Sequence, residues 1–226
     1  MYRGHVQGAD SDGTNIWWSF TSHIVRTDLN GRILKTVDVG GHHGDLCVRR
    51  GILYVAVERG RFNASGPAQS FVVSYRADTL EKLKEWPLAE TVYGAGGITE
   101  MNGSFYVVGG LPPGIEENYV YQYDGDFRIM KKHVLKTGYT RFGIQTISYD
   151  DEKFLLGFYG DDARPAGTFI CKDDFLSFSM AVPDCSTGFF RRNGKRMRVL
   201  YRQDNATKLY GAGAEELVLN EFKIQK

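Results

Sequence analysis

One shape recurs five times along the chain and constrains its fold more than any other feature. It is a polar, Gly-loosened segment, then a turn, then an apolar strand. The plainest copy is Gly41-His42-His43-Gly44-Asp45-Leu46-Cys47, followed by Gly51-Ile52-Leu53-Tyr54-Val55-Ala56-Val57-Glu58. The chain opens on another, His5-Val6-Gln7-Gly8-Ala9 before Ile16-Trp17-Trp18-Ser19-Phe20. Tyr93-Gly94-Ala95-Gly96-Gly97-Ile98, Arg141-Phe142-Gly143-Ile144-Gln145-Thr146-Ile147 and Ser186-Thr187-Gly188-Phe189-Phe190 begin the remaining three. From Ala9 to Phe189 the motif advances four times over 180 residues, a mean period of 45, so five copies account for nearly all 226 residues. A period of about 40–50 residues with four short strands in each unit is the mark of a β-propeller.

The expected fold is therefore all-β: one five-bladed β-propeller domain over 1–226, four antiparallel strands per blade. The blades are sequence-contiguous, near 1–40, 41–91, 92–139, 140–184 and 185–226. Asn30-Gly31 and Asp124-Gly125 supply the positive φ that tight hairpins demand. Thirteen Tyr, 14 Phe and 27 Gly with six Pro suit many short strands and sharp turns. Only 77–85 offers a short helical pattern. The last strand is expected over 217–224, outermost in blade 5, so the ends share no strand and the ring closes by side-chain packing, helped by Tyr2 and Arg3.

Charge excludes some partners. The net charge is +1, with no basic tract, so the sequence calls for no nucleic acid. No apolar run reaches the ~20 residues of a membrane span. Cys47, Cys171 and Cys185 lack metal-ligand spacing and read as buried small hydrophobes, with a Cys171–Cys185 disulfide as the alternative in an exported protein. No leader precedes the first motif; export after its removal and a cytoplasmic chain read alike.

In a propeller every inner strand starts at one end of the central channel, where the loops between second and third strands also emerge. Polar residues gather at that end, and the hairpins of the other end carry plain turn residues. The candidate catalytic group is His42 or His43 with Asp45 and Glu58, as an acid/base pair. Ligand contacts are expected from His5, Gln7, Trp18, Arg61, Tyr93, Arg141, Gln145, Arg164 and Arg202. The arginines would grip an anion; an aromatic ring would stack on a sugar. Adjacent His42 and His43 point to opposite sides of a strand, so at most one joins a cluster. Accordingly no metal site is assigned and no cofactor is named. The insertions 59–70, 109–118 and 160–167 should all rim this end.

His5-Val6-Gln7-Gly8, Asp10, Asp12-Gly13, Trp17-Trp18-Ser19-Phe20 and Thr27-Asp28-Leu29-Asn30-Gly31 together resemble the repeat of quinoprotein-like and glutamine-cyclotransferase-like propellers. The resemblance implies a propeller with its site at the channel mouth. Cyclotransferases use an aromatic-Thr-Gln-Gly, which Gln7 matches, and a Gly-Glu-Gly-Leu whose Glu is the acid/base. Here the second reads His43-Gly44-Asp45-Leu46, so Gly44 stands at that Glu. The leading expectation is a small polar ligand, a sugar or an anionic metabolite, held at the channel mouth. The alternatives are a hydrolase, lyase or cyclotransferase using the His/carboxylate set, and a protein-interaction scaffold.

Overall fold

In the computed structural model, which describes residues 1–222, twenty strands form five sheets around a central channel. Blade 1 contains β1 (Val6–Ser11), β2 (Asn15–Phe20), β3 (His23–Asp28) and β4 (Ile33–Asp38). Blade 2 contains β5 (His42–Arg49), β6 (Ile52–Glu58), β7 (Ser70–Arg76) and β8 (Lys82–Pro87). Blade 3 contains β9 (Ala95–Met101), β10 (Ser104–Gly109), β11 (Asn118–Tyr123) and β12 (Ile129–Leu135). Blade 4 begins with β13 (Arg141–Asp150), β14 (Lys153–Tyr159), β15 (Gly167–Cys171) and β16 (Phe178–Val182). Blade 5 contains β17 (Phe189–Arg192), β18 (Lys195–Gln203) and β19 (Tyr210–Glu216); β20 (Asn220–Phe222) follows it. Every pairing is antiparallel. Among the described residues there is no helix, and hence none that could cross a membrane; the segment 77–85 forms a turn and the start of β8.

The five-bladed, four-stranded plan holds in blades 1 to 4 and changes in blade 5. Leu217 is buried against Leu155, Ile170 and Cys185 between blades 4 and 5. That anchor carries the chain across to blade 4, where β20 pairs with the outer strand β16. Blade 5 is left with three strands of its own. Its fourth position is filled at one rung by the other end of the chain. Tyr2 and Tyr210 exchange two backbone hydrogen bonds of 2.8 Å. Closure by side-chain packing alone is thus corrected: the two ends share one antiparallel bridge. Residues 223 and 224, expected to end the last strand, lie outside the described segment.

Each blade interface has its own apolar cluster, because strand alternation gives every inner blade surface two apolar faces. Trp17, Leu46 and Val55 join blades 1 and 2, while Ile98, Val107 and Cys47 join blades 2 and 3. Phe154, Phe158 and Val108 join blades 3 and 4. Trp18, Phe190 and Val199 close the ring between blades 5 and 1. All three Cys are free and buried. Removing residues 1–3 deletes the two Tyr2 hydrogen bonds and the Tyr2–Phe20 contact at 4.6 Å. The expected cost is about 2–3 kcal/mol, measured as a lower urea midpoint with an unchanged slope; an unchanged midpoint would show that the bridge does not close the ring.

Candidate functional site

The inner strands β1, β5, β9, β13 and β17 all start at one end of the channel, here called the upper mouth. Backbone bulges decide what reaches it. In β5 the register slips between His43 and Leu46, so two residues, Gly44 and Asp45, oppose Ala56 alone. A bulge re-aims the side chain it carries; here it turns Asp45 into the channel, where its carboxylate accepts from the Ile147 amide of blade 4 at 3.3 Å. Gly8 makes room for it: a Cβ there would sit 1.9 Å from the Asp45 Oδ1. In β13 two slips, between Arg141 and Ile144 and between Ile144 and Thr146, lift Phe142 out of the sheet. Its φ of 62° is an outlier for a bulky residue, and its ring is 45% exposed.

The upper mouth is a cavity of about 210 Å³ lined by His5, Gln7, His42, Phe62, Asn63, Gly96, Phe142, Gln145 and Tyr159. His5, Gln7, His42 and Gln145, four residues expected from sequence, thus converge on it. His5 stacks on Tyr201 at 5.2 Å, and its ring nitrogens meet the Val6 carbonyl and the Gln7 amide. Gln7 donates to the Thr21 hydroxyl at 3.1 Å. The Gln145 amide donates to the Phe142 carbonyl at 2.7 Å, which braces the raised loop. His42 meets the Phe62 ring edge-on at 5.0 Å. Burial, helped by the charge of His5, pushes its pKa down to about 4, so the ring is neutral at pH 7.

Phe62, Phe142 and Tyr159 were missed from sequence, whereas Asn63 belongs to the polar loop residues expected at this end. Phe62 and Asn63 ride on the 59–70 insertion, and Asn63 pins that loop to the 109–118 insertion by accepting from the Leu111 amide at 2.9 Å. The Glu116 carboxylate and the Arg164 guanidinium both lie beside Gly138. The three insertions thus emerge at the same end, and of them the 59–70 loop lines the upper mouth. The aromatic-before-Gly pair Phe142-Gly143 was the available signal for the raised ring, since a bulge needs such a local break.

The remaining candidates lie elsewhere, each for a visible reason. His43 is buried between blades 1 and 2, its Nε2 2.8 Å from the Tyr75 hydroxyl. Glu58 is 1% exposed; it accepts from the Gly60 and Gln69 amides and the Ser70 hydroxyl, so it organises the 59–70 loop. Asp45 lies deep in the channel, outside the lining of the upper mouth, and is also 1% exposed. The proposed His/carboxylate catalytic set is therefore not assembled. Trp18 packs between blades 5 and 1 and donates to Thr27, while Trp17 donates to the Ala77 carbonyl, so neither ring reaches the mouth. Arg61, Arg141 and Arg202 are exposed, and the Arg141 guanidinium lies 5.0 Å from the Phe142 ring. Arg164 packs toward Phe169 and Tyr93 toward Tyr119. Among the described residues no three His, Cys, Asp or Glu side chains converge as a metal site.

The expectation that the lower end carries only plain turns is corrected as well. There a cavity of about 310 Å³ is ringed by charges from the ends of the inner strands. Arg49 bridges Asp10 at 3.0 Å and Glu100 at 3.2 Å, tying blades 1, 2 and 3. Asp150 pairs with Arg191 and Arg196, tying blade 4 to blade 5. Each of these charges is engaged across a blade junction, which makes the lower ring a structural tie. Between the mouths, burial raises the Asp45 pKa well above the carboxylate range against its two backbone hydrogen bonds, and Asp10 adds to the rise.

His43 is held at about 3 by burial and by the charges of Arg59, His42 and Lys82. An unfolded His titrates near 6.5, so the unfolded chain binds protons at His42 and His43 over a range where the native chain does not. The two imidazoles therefore contribute stability that is lost as pH falls from about 6.5 toward 3, while Asp45, with its raised carboxyl, contributes in the opposite sense above about pH 4. Urea titrations across that window check this. The stability difference between the parent and His43→Gln should shrink by several kcal/mol from pH 7 to pH 4, and a difference that is level over that range would contradict the assignment.

No family model matches the chain, and no curated protein matches it. Solved structures do. A GH43_1 enzyme from Xanthomonas citri superposes with a TM-score of 0.70 at 12% identity, covering 99% of this chain and 92% of that one. The same enzyme complexed with xylose gives 0.69. A GH43 β-xylosidase/α-arabinofuranosidase from a compost microbial metagenome, complexed with xylotriose in calcium-free form, gives 0.68 at 8% identity, covering 99% and 96%. The five-bladed ring expected from the repeat stands, and five-bladed glycoside hydrolases are among the solved structures that share it. At such identities the likeness establishes one thing: the chain has a five-bladed β-propeller fold.

Proposed function

We propose that the chain binds an uncharged sugar, a single ring or the end residue of a short saccharide, in the upper mouth. The observation that carries this is the lining itself. Three aromatic rings, Phe62, Phe142 and Tyr159, join His5, Gln7, His42, Asn63 and Gln145, and no Asp, Glu, Lys or Arg belongs to the set. Aromatic faces suit the C–H face of a sugar, and neutral amides and imidazoles suit its hydroxyls. A cavity of about 210 Å³ falls below the range of drug-sized pockets, which fits one ring. An anionic metabolite would find no cation within the lining. The xylose and xylotriose complexes among the structural neighbours agree with a saccharide.

Glycoside hydrolysis uses two carboxyl groups flanking the scissile bond. The upper mouth presents none: Asp45 lies beneath it and Glu58 is committed to a loop. Binding is therefore the better reading. Calorimetric titration with D-xylose, D-glucose and D-glucuronate tests it. The neutral sugars should bind with millimolar affinity, and Phe142→Ala should weaken them about tenfold. Tighter binding of glucuronate than of xylose, or no binding of either neutral sugar, would overturn the proposal.

A further inference from the structure

The wall of the upper mouth has a gap on one side. Every lining residue belongs to blades 1 to 4, and blade 5 supplies none. The short inner strand of that blade is the reason. β17 has four residues, against six to ten in β1, β5, β9 and β13, and it starts only after the buried turn residues Ser186 and Thr187. The second strand, β18, stands behind this gap. Its Met197 and Val199 point toward blade 1 and are buried in the cluster of Trp18 and Phe190. Alternation turns Tyr201 the same way, but at its height the cluster has ended, and Tyr201 is 49% exposed. Its ring stacks on the His5 imidazole at 5.2 Å and 29°. A half-exposed aromatic ring thus adjoins the mouth where the wall is missing. The first residues of the chain lie further out: Tyr2 packs on Phe20 and His23, and Met1 lies beside Gly211.

Resting on the reading of the upper mouth as a sugar site, we propose that a saccharide leaves the mouth over blade 5 and that its second ring stacks on Tyr201. A sugar seated against His5 has Tyr201 as its outward neighbour on that side. Across the mouth Phe62 and Asn63 stand in the way, on a loop held by the Tyr93 carbonyl and the Leu111 amide. The C–H face of a pyranose suits a phenol ring. Contacts with His5 and Tyr210 already hold that ring, so little freedom is lost on binding. The site therefore takes a neutral oligosaccharide by its end and prefers two linked rings to one.

Calorimetric titration with D-xylose and with its linear dimer xylobiose tests this. The parent should bind xylobiose about tenfold more tightly than xylose. Tyr201→Ala should bring that ratio to about one, and Tyr201→Phe, which keeps the ring, should preserve it. If xylose binds but the parent shows no preference for xylobiose, or if the preference survives Tyr201→Ala, the proposal is overturned while the sugar site itself stands. A preference abolished by Phe142→Ala and kept by Tyr201→Ala would send the second ring over blade 4 and equally overturn it. Absence of binding by either sugar overturns both the proposal and the reading it rests on.

Discussion

Gly44→Ala is expected to yield a chain that no longer unfolds in one cooperative transition near the parent midpoint. A Cβ at this position would lie 2.2 Å from the Gly96 carbonyl oxygen and 3.3 Å from that of Ala56. Both obstacles are backbone, one in blade 3 and one in the paired strand of blade 2, so no side chain can swing aside. Relief requires the inner strands of two blades to part, and the same bulge carries Asp45 into the channel. A cost of about 4 kcal/mol or more is a large share of the 5–15 kcal/mol typical of a folded domain. Gly51→Ala is the control. Gly51 has a φ of 75° but nothing within 4 Å of its Cβ, so only backbone strain opposes the methyl group, at about 1 kcal/mol. If both variants melt alike, close packing of inner strands is not what fixes the channel.

His42→Ala and His43→Ala should behave as opposites although the residues are adjacent. His42 stands in the upper mouth against Phe62, and its loss removes a neutral imidazole from the ligand's surroundings. Sugar affinity is expected to fall at least about tenfold, with the melting temperature nearly unchanged. His43 faces the junction of blades 1 and 2 and holds the Tyr75 hydroxyl. Its loss strands that hydroxyl and opens a void, costing about 1–3 kcal/mol while leaving sugar affinity intact. Melting curves and titrations on the same two preparations separate these effects. A reversed pattern would mean that the strand faces are assigned the wrong way round.

Much of this architecture was legible from spacing. The five copies of the polar-Gly-apolar motif mark the five inner strands, and the end at which His5, Gln7, His42 and Gln145 gather follows from strand direction alone. Period-two alternation also separates His42 from His43. What spacing could not show was the bulges. A slip of one residue in β5 sends Asp45 into the channel, where simple alternation faces it the other way from Gly44. The double slip in β13 exposes Phe142, which reads as an ordinary apolar strand residue.

The course of the last strand was hidden for a different reason. Leu217 chooses the junction of blades 4 and 5 by packing against residues up to 62 positions distant, such as Leu155. The lower ion ring had a signal that went unread: Asp10, Arg49, Glu100, Asp150 and Arg191 recur near the ends of successive inner strands, and opposite signs let blades 1, 2 and 3 pair through Arg49 and blades 4 and 5 through Asp150.

The claim that the upper mouth is the ligand site is tested most directly by the five imidazoles of the chain, which sample different surroundings. His5 and His42 line the mouth, His43 lies between blades 1 and 2, His23 pairs with Asp38 near the outer edge of blade 1, and His133 contacts Gln122 in blade 3. A ¹H–¹³C spectrum of the His rings, recorded during titration with D-xylose at pH 7.5, reports all five at once. The account predicts saturable shifts of the His5 and His42 resonances with a common affinity, while His23, His43 and His133 stay in place. Shifts at His43 without His42, or no movement at His5 and His42 at saturating sugar, would contradict it.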